Sequence, residues 1–421
     1  MNNYIFKCSS CGKTFDKNKI ESELIYLCPD CGRIEDNLPL HGVLLIEYVY
    51  DEIRKSIDKE LFLKQQPGKF WLHDYLWPIE CSKGKITGLD ENLQERISLR
   101  PKFLHEISIE GKSFHIFDDT RNPTFSFKDR ASILVAVKAL QLGIKEISAA
   151  STGNAGSSIA GICAMLGLNT HVFVPKNIPD AKRIQIQSYG ANIYIVNGNY
   201  DAAFDLCFEI SNHKKWFNRN TAFNPLTIEG KKSAAYDIFL ETKGILPENI
   251  IVPVGDGVII SGLYKGFWEL QQLGWIEKIP KLIAVQAEGS DALVRFLSSG
   301  KFEYKPAHTI ADSISAGVPR CLYLAVEAVQ KSHGFAMTVT DEEILFAQRE
   351  IIQKTGIFIE PSCSTTYAAL QKISDNGTYQ PEEKYLLMFT GNGLKDISAL
   401  SSWNKKAPVK SCEEWKEHFG L

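Results

Sequence analysis

Short apolar runs alternate with amphipathic segments through most of the chain after residue 118. Segments of helical periodicity lie between these runs, for example over 154–166, 180–189 and 201–211. Strands that alternate with helices of this length are typical of parallel sheets. We therefore predict an α/β fold with two open twisted sheets flanked by helices. The apolar runs that predict strands are EISAAS from Glu146, HVFVP from His171, NIYIVNG from Asn192, IIVPVG from Ile250, KLIAVQAE from Lys281 and KYLLMFTG from Lys384.

Composition narrows the class of protein. A chain of 421 residues is long enough for two or three domains, and 44% of its residues are hydrophobic. Its 47 Lys and Arg residues nearly balance its 50 Asp and Glu residues, which argues against a basic nucleic-acid-binding protein. No uncharged stretch approaches the roughly 20 residues that span a bilayer, and the N-terminus lacks the apolar run of a signal peptide. We expect a cytoplasmic protein with neither nucleic acid nor membrane as a partner.

Four of the ten cysteines lie in the first 31 residues, where Cys8, Cys11, Cys28 and Cys31 form two C-x2-C pairs. A glycine follows each pair and can turn the chain, so that four thiolates can converge on one tetrahedral zinc ion. With four cysteine ligands the site would be closed, and its role would be structural. The alternative is a pair of redox-active or vestigial dithiols. We interpret residues 1–36 as a small zinc-ribbon-like module.

Ligands of an open α/β sheet bind beyond the carboxyl ends of the strands, where helices begin. Two loops at such positions, 151–158 and 255–261, are rich in glycine and small residues. Free N–H groups in the first turn of the following helix favour a carboxylate or phosphate. In the second loop, Asp256 adds a negative charge that would repel a phosphate if it pointed inward.

Lys128 lies in the string NPTFSFKDR, which runs from Asn122 to Arg130. An apolar residue, Phe127, precedes it and an apolar helical segment follows, so its amine could be removed from water. A desolvated amine can act as a nucleophile and form a Schiff base. The alternative is an exposed lysine at a solvated helix start.

Five motifs follow one another in a set order: N-P-T-x-S-F-K-D-R from Asn122, S-T-G-N-A-G from Ser151, P-V-G-D-G from Pro253, E-P-S from Glu360 and T-G-N-G-L-K-D from Thr390. In this order and spacing they resemble the threonine synthase family of fold-type II pyridoxal-phosphate enzymes, over about residues 115 to 400. The resemblance implies pyridoxal 5'-phosphate as the cofactor and a lyase that converts O-phospho-L-homoserine and water to L-threonine and phosphate. It also suggests a homodimer, and some members begin with a zinc-ribbon-like segment.

The resemblance implies a role for each motif. Lys128 would be the catalytic Schiff-base lysine and would move protons. The other cofactor-binding residues would be Asn154 at the phenolic oxygen, the phosphate loop of Gly255, Asp256, Gly257, Val258 and Ile259, and Thr390 at the pyridine nitrogen. Ser151, Thr152 and Asn224 would bind the substrate.

The resemblance also implies a division into domains. The module at 1–36 would be followed by the first part of a large cofactor domain at 37–140, a small α/β domain at 141–225, and the second part of the large domain at 226–421.

Some positions depart from the motifs of the family. Phe125 stands where glycine is common, which predicts a narrower pocket beside Lys128. Asp256 and Val258 replace the Asn and Gly that are common in the phosphate loop, although backbone amides could still bind phosphate. Asn392 replaces a common His. These changes affect the predicted substrate more than the predicted cofactor.

Thr227 occupies the arginine position of the family string N-P-x-R-I-E-G-Q-K-T. Without that arginine, a substrate phosphate would need another cation. The candidates are Lys231, Lys182 and Arg183. Two alternatives stay open: a related enzyme that acts by β-elimination or β-replacement, such as a threonine or serine dehydratase or a cysteate-synthase-like enzyme, and a scaffold with an inactive catalytic domain. We interpret Glu360 of the E-P-S motif as structural.

Overall fold

The computed structural model describes residues 4–99, 103–151, 153–198, 200–404 and 406–421. Its N-terminal part is an antiparallel sheet of order β2-β1-β3, in which β1 pairs with both neighbours. The elements are β1 (Tyr4–Cys8), β2 (Thr14–Asp16), α1 (Lys17–Ser22) and β3 (Leu44–Tyr48).

Several short elements follow the N-terminal sheet, and after them come β6 and β7, the first two strands of the larger sheet, and helix α5. They are α2 (Tyr50–Ser56), α3 (Lys59–Phe62), a 3₁₀ helix (Phe70–Leu76), β4 (Cys81–Ser82), β5 (Lys85–Ile86), α4 (Glu91–Ile97), β6 (Leu104–Ile109), β7 (Lys112–Asp118) and α5 (Asp129–Gln141). The pairs β4–β5 and β6–β7 are both antiparallel.

The smaller sheet is fully parallel and has the order β10-β9-β8-β11. It is built from β8 (Glu146–Ala150), α6 (Asn154–Leu166), β9 (Asn169–Pro175), α7 (Asp180–Ser188), β10 (Asn192–Val196), α8 (Tyr200–Lys214) and β11 (Phe217–Asn218). The strands and helices predicted in this region from the apolar pattern are confirmed to within a few residues.

The larger sheet has the order β14-β13-β12-β15-β7-β6 and is parallel except for β6. Its remaining elements are α9 (Leu226–Glu241), β12 (Asn249–Pro253), α10 (Val258–Gln272), β13 (Lys281–Ala287), α11 (Ala292–Ser299), α12 (Leu322–Lys331), β14 (Ala336–Val339), α13 (Asp341–Thr355), α14 (Pro361–Asp375), β15 (Tyr385–Phe389), α15 (Ile397–Ser401) and α16 (Cys412–Phe419), with 3₁₀ helices at Glu288–Ser290, Asp312–Ile314 and Gly393–Lys395.

This architecture confirms the predicted α/β class with two open sheets. Every residue of β12 and β15 is buried, as expected for parallel strands covered on both faces. None of the helices within the described ranges combines the length and the apolar character that crossing a membrane requires. The domain boundaries at residues 36, 140 and 225 remain a prediction.

Helix α9 runs through the interior, and its residues 226–240 are all buried. Its charged side chains therefore need partners, because an unpaired buried charge is strongly unfavourable. Lys232 lies 2.6 Å from Glu229 one turn earlier and 2.9 Å from Glu269 on α10. Lys265 of α10 contacts the same two carboxylates at 2.8 and 2.5 Å. Two lysines and two glutamates thus form a buried ionic cluster.

The N-terminal part of the chain completes this cluster. The Tyr48 hydroxyl donates to Glu229 at 2.8 Å, and the Tyr50 hydroxyl donates to Glu269 at 3.0 Å. Tyr48 is the last residue of β3. The N-terminal sheet is therefore joined to α9 and α10 by buried hydrogen bonds to charged groups, which are stronger than neutral ones.

We expect Lys232→Met to lower the free energy of unfolding by about 3–5 kcal/mol, because one ammonium would remain for two buried carboxylates. The measurement is the urea midpoint, followed by tryptophan fluorescence. Lys281→Met is the control, since Lys281 pairs with Glu383 at the surface, where a pair contributes at most about 1 kcal/mol. Equal midpoints for the two variants would show that the cluster does not stabilise the fold.

Candidate active site

The loops after β8 and β12 face a common cavity, as expected for ligand sites at the carboxyl ends of parallel strands. The segment 312–316 forms another part of its wall. Eight of the residues predicted to bind cofactor or substrate line this cavity: Lys128, Ser151, Asn154, Gly255, Asp256, Gly257, Val258 and Ile259. Thr390 and Asn224 are not among the lining residues, and Thr152 lies outside the described residues.

Lys128 directly precedes α5, and the two residues after it fix the start of that helix in the interior. Asp129 accepts hydrogen bonds from the Thr124 amide at 2.7 Å and from the Ser158 hydroxyl at 2.6 Å. Arg130 forms ion pairs with Asp119 and Asp237. The K-D-R sequence therefore places one lysine at the cavity wall and anchors it with two buried, paired charges.

The chain just before Lys128 pairs with the segment that contains Thr390. The Phe127 amide donates to the Thr390 carbonyl at 2.9 Å, and the Asn392 amide donates to the Phe125 carbonyl at 3.1 Å. The Thr390 side chain is buried, with its hydroxyl 3.8 Å from the Cys363 sulfur. Thr390 thus lies beside the lysine segment, behind the cavity wall.

Phe125 does not narrow the pocket, so that prediction was wrong. Its φ angle is +67°, in the left-handed region where glycine is favoured and another residue costs roughly 1–2 kcal/mol. This backbone conformation explains why glycine suits the position. The Phe125 side chain is 46% exposed and is not among the residues that line the cavity.

Glu360, which the sequence analysis interprets as structural, is a buried carboxylate that contacts Asn154 and Ser313 of the cavity wall. The Asn154 amide donates to both of its oxygens at 2.9 Å, and the Ser313 hydroxyl donates at 3.0 Å. Burial alone would raise the pKa of Glu360. The positive charge of Lys182 and hydrogen bonds from Ser362 and Asn154 outweigh this effect and lower the pKa. The carboxylate therefore stays ionised in the interior.

Two charges of opposite sign act on the Lys128 amine. Burial lowers its pKa below the ordinary value, since the charged form loses hydration, and Arg219 lowers the pKa further. Glu360 acts in the opposite direction and raises the pKa. The net effect lowers the pKa, so the neutral amine is more populated than in an exposed lysine. A neutral amine can act as the predicted nucleophile.

Asn154 begins α6 and offers an acceptor to the cavity. Its amide nitrogen is engaged by Glu360, whereas its Oδ1 is buried without a hydrogen-bond partner among the described residues. A buried polar atom without a partner is unfavourable, so this oxygen fits a site that a ligand completes.

The loop after β12 presents backbone to the cavity. A Cβ at Gly255 would lie 2.8 Å from the Ile314 Cα, and Gly257 has φ +87° with its Cβ position 2.8 Å from the Ala325 Cβ. Neither position has room for a side chain, so the loop packs closely against Ile314 and Ala325. Helix α10 begins directly after Gly257, and its first-turn amides lack intrahelical acceptors. The arrangement fits a bound phosphate.

The three cations that were candidates to bind a substrate phosphate lie in different surroundings. Lys182 is buried and pairs with Asp312 at 2.5 Å. Arg183 pairs with Asp180 at 2.9 Å on the outer side of α7. Lys231 lines the cavity and is 1% exposed.

Asn224 lies away from the cavity, at the start of α9. Its amide group donates to the Asn218 carbonyl at 2.7 Å, and its Oδ1 accepts from the Leu226 amide at 2.9 Å. Both ends of the side chain are therefore engaged in shaping the turn before the helix.

The four N-terminal cysteines converge as their spacing predicts. Their sulfur atoms all lie within 4.8 Å of one another, with Cys8 and Cys31 3.4 Å apart and Cys11 and Cys28 3.7 Å apart. Four sulfurs about 2.3 Å from a tetrahedral zinc ion would be about 3.8 Å apart. The donor set and its spacing fit zinc.

We expect Glu360→Gln to lower the pKa of Lys128 further, because the substitution removes the negative charge that raises it. The measurement is the pH dependence of Lys128 reductive methylation in the apoprotein, read by peptide mass spectrometry. The half-reaction pH should move downward. The control variant Ser362→Ala keeps the Glu360 carboxylate and should shift the half-reaction pH less. An unchanged or higher half-reaction pH in Glu360→Gln would contradict this electrostatic account.

Residues 103–391 match the family model described as pyridoxal-phosphate dependent enzyme. This match covers the Lys128 segment, both loops of the cavity and Thr390.

Similar proteins extend the match to nearly the full chain. A threonine synthase of Methanocaldococcus jannaschii is 33% identical over 417 residues, which cover 96% of each chain. A threonine synthase of Methanosarcina acetivorans is 32% identical and covers 98% of this chain and 95% of its own. A threonine synthase of Mycobacterium tuberculosis is 35% identical over 301 residues, 71% of this chain and 82% of its own.

Solved structures show the same fold at lower identity. Maize serine racemase superposes with a TM-score of 0.61 at 18% identity, over 78% of this chain and 96% of its own. Serine racemase of Dictyostelium discoideum gives a TM-score of 0.58 at 24% identity, over 72% and 96%. Family model, relatives and fold agree, and the chain belongs to the pyridoxal-phosphate dependent enzyme family and, within it, to the threonine synthase family.

Proposed function

We propose that this protein is a lyase that converts O-phospho-L-homoserine and water to L-threonine and inorganic phosphate, with pyridoxal 5'-phosphate as its cofactor. The observation that carries the proposal is the desolvated Lys128 at the wall of a cavity shared by both sheets. The near full-length similarity to two archaeal threonine synthases supports the choice of reaction.

The bound cofactor supplies an electron sink for the negative charge that develops on the substrate carbons. We infer that Asn154 holds its phenolic oxygen and that Thr390 faces its pyridine nitrogen. The backbone amides of Gly255, Asp256, Gly257, Val258 and Ile259 would hold its phosphate. The unpartnered Asn154 Oδ1 could accept a hydrogen bond from a phenolic O–H, and the glycine-lined loop supports the phosphate assignment. The assignment of Thr390 rests on the family resemblance.

Lys128 is assigned the proton transfers in addition to attachment of the cofactor. The reaction requires removal of protons from Cα and Cβ, departure of phosphate from Cγ, protonation of Cγ, addition of water at Cβ and return of a proton to Cα. A general base works best when its pKa is near the working pH, and burial moves the pKa of the Lys128 amine in that direction. Glu360 keeps the pKa from falling further.

The substrate carboxylate is assigned to the N-terminal end of α6. This 13-residue helix has no side-chain cap at Gly153, so its first amides are available for an anion. Ser151 and Thr152 would contribute further hydrogen bonds to the substrate at this site. Asn224 would act at a distance, by holding the start of α9 through Asn218 and Leu226.

The proposal includes a structural zinc ion bound by Cys8, Cys11, Cys28 and Cys31. The convergence of four sulfurs within 4.8 Å supports it. A cytoplasmic location, a homodimer and the four-part domain division complete the proposal, and these three rest on the sequence and the family resemblance.

We expect Lys128→Ala to reduce threonine formation at least about 10²-fold, since a positioned acid–base group contributes that much or more. The assay follows threonine and inorganic phosphate released from O-phospho-L-homoserine. The visible absorbance of the cofactor-loaded protein should change in the same variant. Lys145→Ala, at an exposed lysine, is the control and should match the wild type.

Stoichiometric threonine and phosphate would support the proposed reaction. A wild-type protein that fails to consume O-phospho-L-homoserine but forms a 2-oxo acid from threonine or serine would be a dehydratase instead, and the proposed reaction would be wrong.

We expect Cys28→Ser to lower zinc content below one ion per chain, because three thiolates bind the ion less tightly than four. Elemental analysis of dialysed protein measures the content. Limited proteolysis should then cut the N-terminal part faster. Cys412→Ser changes an exposed cysteine of α16 and should retain one zinc ion. Equal zinc content in both variants would exclude the cysteine cluster as the binding site.

A further inference from the structure

Helix α9 carries two adjacent buried lysines with opposite surroundings. Lys232 lies between the carboxylates of Glu229 and Glu269. Lys231 is 1% exposed and lines the cavity, yet its side-chain amine forms no hydrogen bond or ion pair with any residue that the structure describes. An unpaired ammonium in the interior is unfavourable by several kcal/mol. The position of Lys231 is therefore suited to an anion that enters the cavity.

A second buried cation stands behind Lys231. Arg219 follows β11, is 1% exposed, and donates from Nη1 to the Thr221 hydroxyl at 3.0 Å. Its Nη2 is buried without a hydrogen-bond partner among the described residues. Thr221 lines the cavity. The positive charge of Arg219 thus acts on the same side of the pocket, and with burial it lowers the pKa of Lys231.

The carboxylate opposite these cations does not neutralise them. Asp256 lines the cavity and accepts a hydrogen bond from the Arg320 amide at 3.3 Å. No ion pair within 4.0 Å joins it to Lys231 in the described part of the chain. Asp256 stands at an Asn position of the family loop and Lys231 at a Gln position of the family string. The chain therefore adds one acidic and one basic side chain to the lining of the cavity.

We propose that Lys231, supported by Arg219, binds the phosphate group of a monoester at the N-terminal end of α10 and offsets the charge of Asp256. The inference rests on the proposed function, because that reaction brings two phosphate monoesters into the cavity, the cofactor and the O-phospho substrate. If Lys231 binds the substrate phosphate, it supplies the cation that is absent at Thr227.

The first arm of the test measures cofactor binding without turnover. Apoprotein is titrated with pyridoxal 5'-phosphate and with pyridoxal, which lacks the phosphate, and binding is read from fluorescence. If the cofactor phosphate contacts Lys231, Lys231→Gln weakens binding of the phosphorylated form roughly 10- to 100-fold, the effect of losing one charge-assisted hydrogen bond. Binding of pyridoxal then stays unchanged.

The second arm measures phosphate binding to the cofactor-loaded protein, with inorganic phosphate as the probe and visible absorbance as the readout. If the substrate phosphate contacts Lys231, the variant keeps its cofactor affinity but binds inorganic phosphate roughly 10- to 100-fold more weakly. Changes below twofold in both arms would overturn the proposal. An equal loss for pyridoxal and its phosphate would also overturn it.

Two further variants separate a binding role from a structural one. Lys231→Arg keeps the charge and should retain phosphate binding within a few-fold. The apoprotein of Lys231→Gln should melt no lower than the wild type, since an unpaired buried charge has been removed. A lower melting temperature would assign Lys231 to the fold instead. All these readouts are independent of threonine formation, so a failed activity assay would reject the proposed reaction and leave this inference standing.

Discussion

Removal of lysine amines from water is the interaction on which the pocket depends. Burial makes the charged form of Lys128 less stable and so gives a reactive neutral amine. Burial of Lys231 without a carboxylate partner lowers the pKa of its amine, and an incoming anion would favour the charged form. The flanking Asp129 and Arg130 are fully partnered. The charges that hold the start of α5 in place thus have polar partners, whereas the Lys231 amine in the cavity lining has none among the described residues.

Hydrogen bonds to buried charged groups also connect residues 40–50, in the N-terminal part of the chain, to the site. Tyr48 and Tyr50 donate to the ionic cluster between α9 and α10, one residue from Lys231. On the other side, the Leu40 amide donates to the Arg320 carbonyl at 3.2 Å, and the Arg320 amide donates to Asp256. The segment 40–50, which follows the cysteine cluster, therefore contacts α9, α10 and Arg320 beside the cavity. No cysteine is among the described residues that line the cavity.

The sequence was most informative where function requires a local pattern. Periodicity predicted the strands, cysteine spacing predicted the cluster, and the K-D-R motif predicted Lys128. The contact between Glu360 and Asn154 could not be predicted, because the two residues are 206 positions apart in the chain. The unpartnered state of Lys231 and the exposure of Phe125 likewise follow from tertiary packing. The E-P-S motif was the only signal that could have identified Glu360.

We propose the desolvated amine of Lys128 as the group to which the cofactor attaches. The most direct measurement is borohydride reduction of the cofactor-loaded protein, followed by proteolysis and mass spectrometry of the labelled peptide. The account predicts one reduced cofactor per chain, on Lys128. A label on Lys182, Lys231 or Lys395, which are also buried near the cavity, or no label at all, would contradict it.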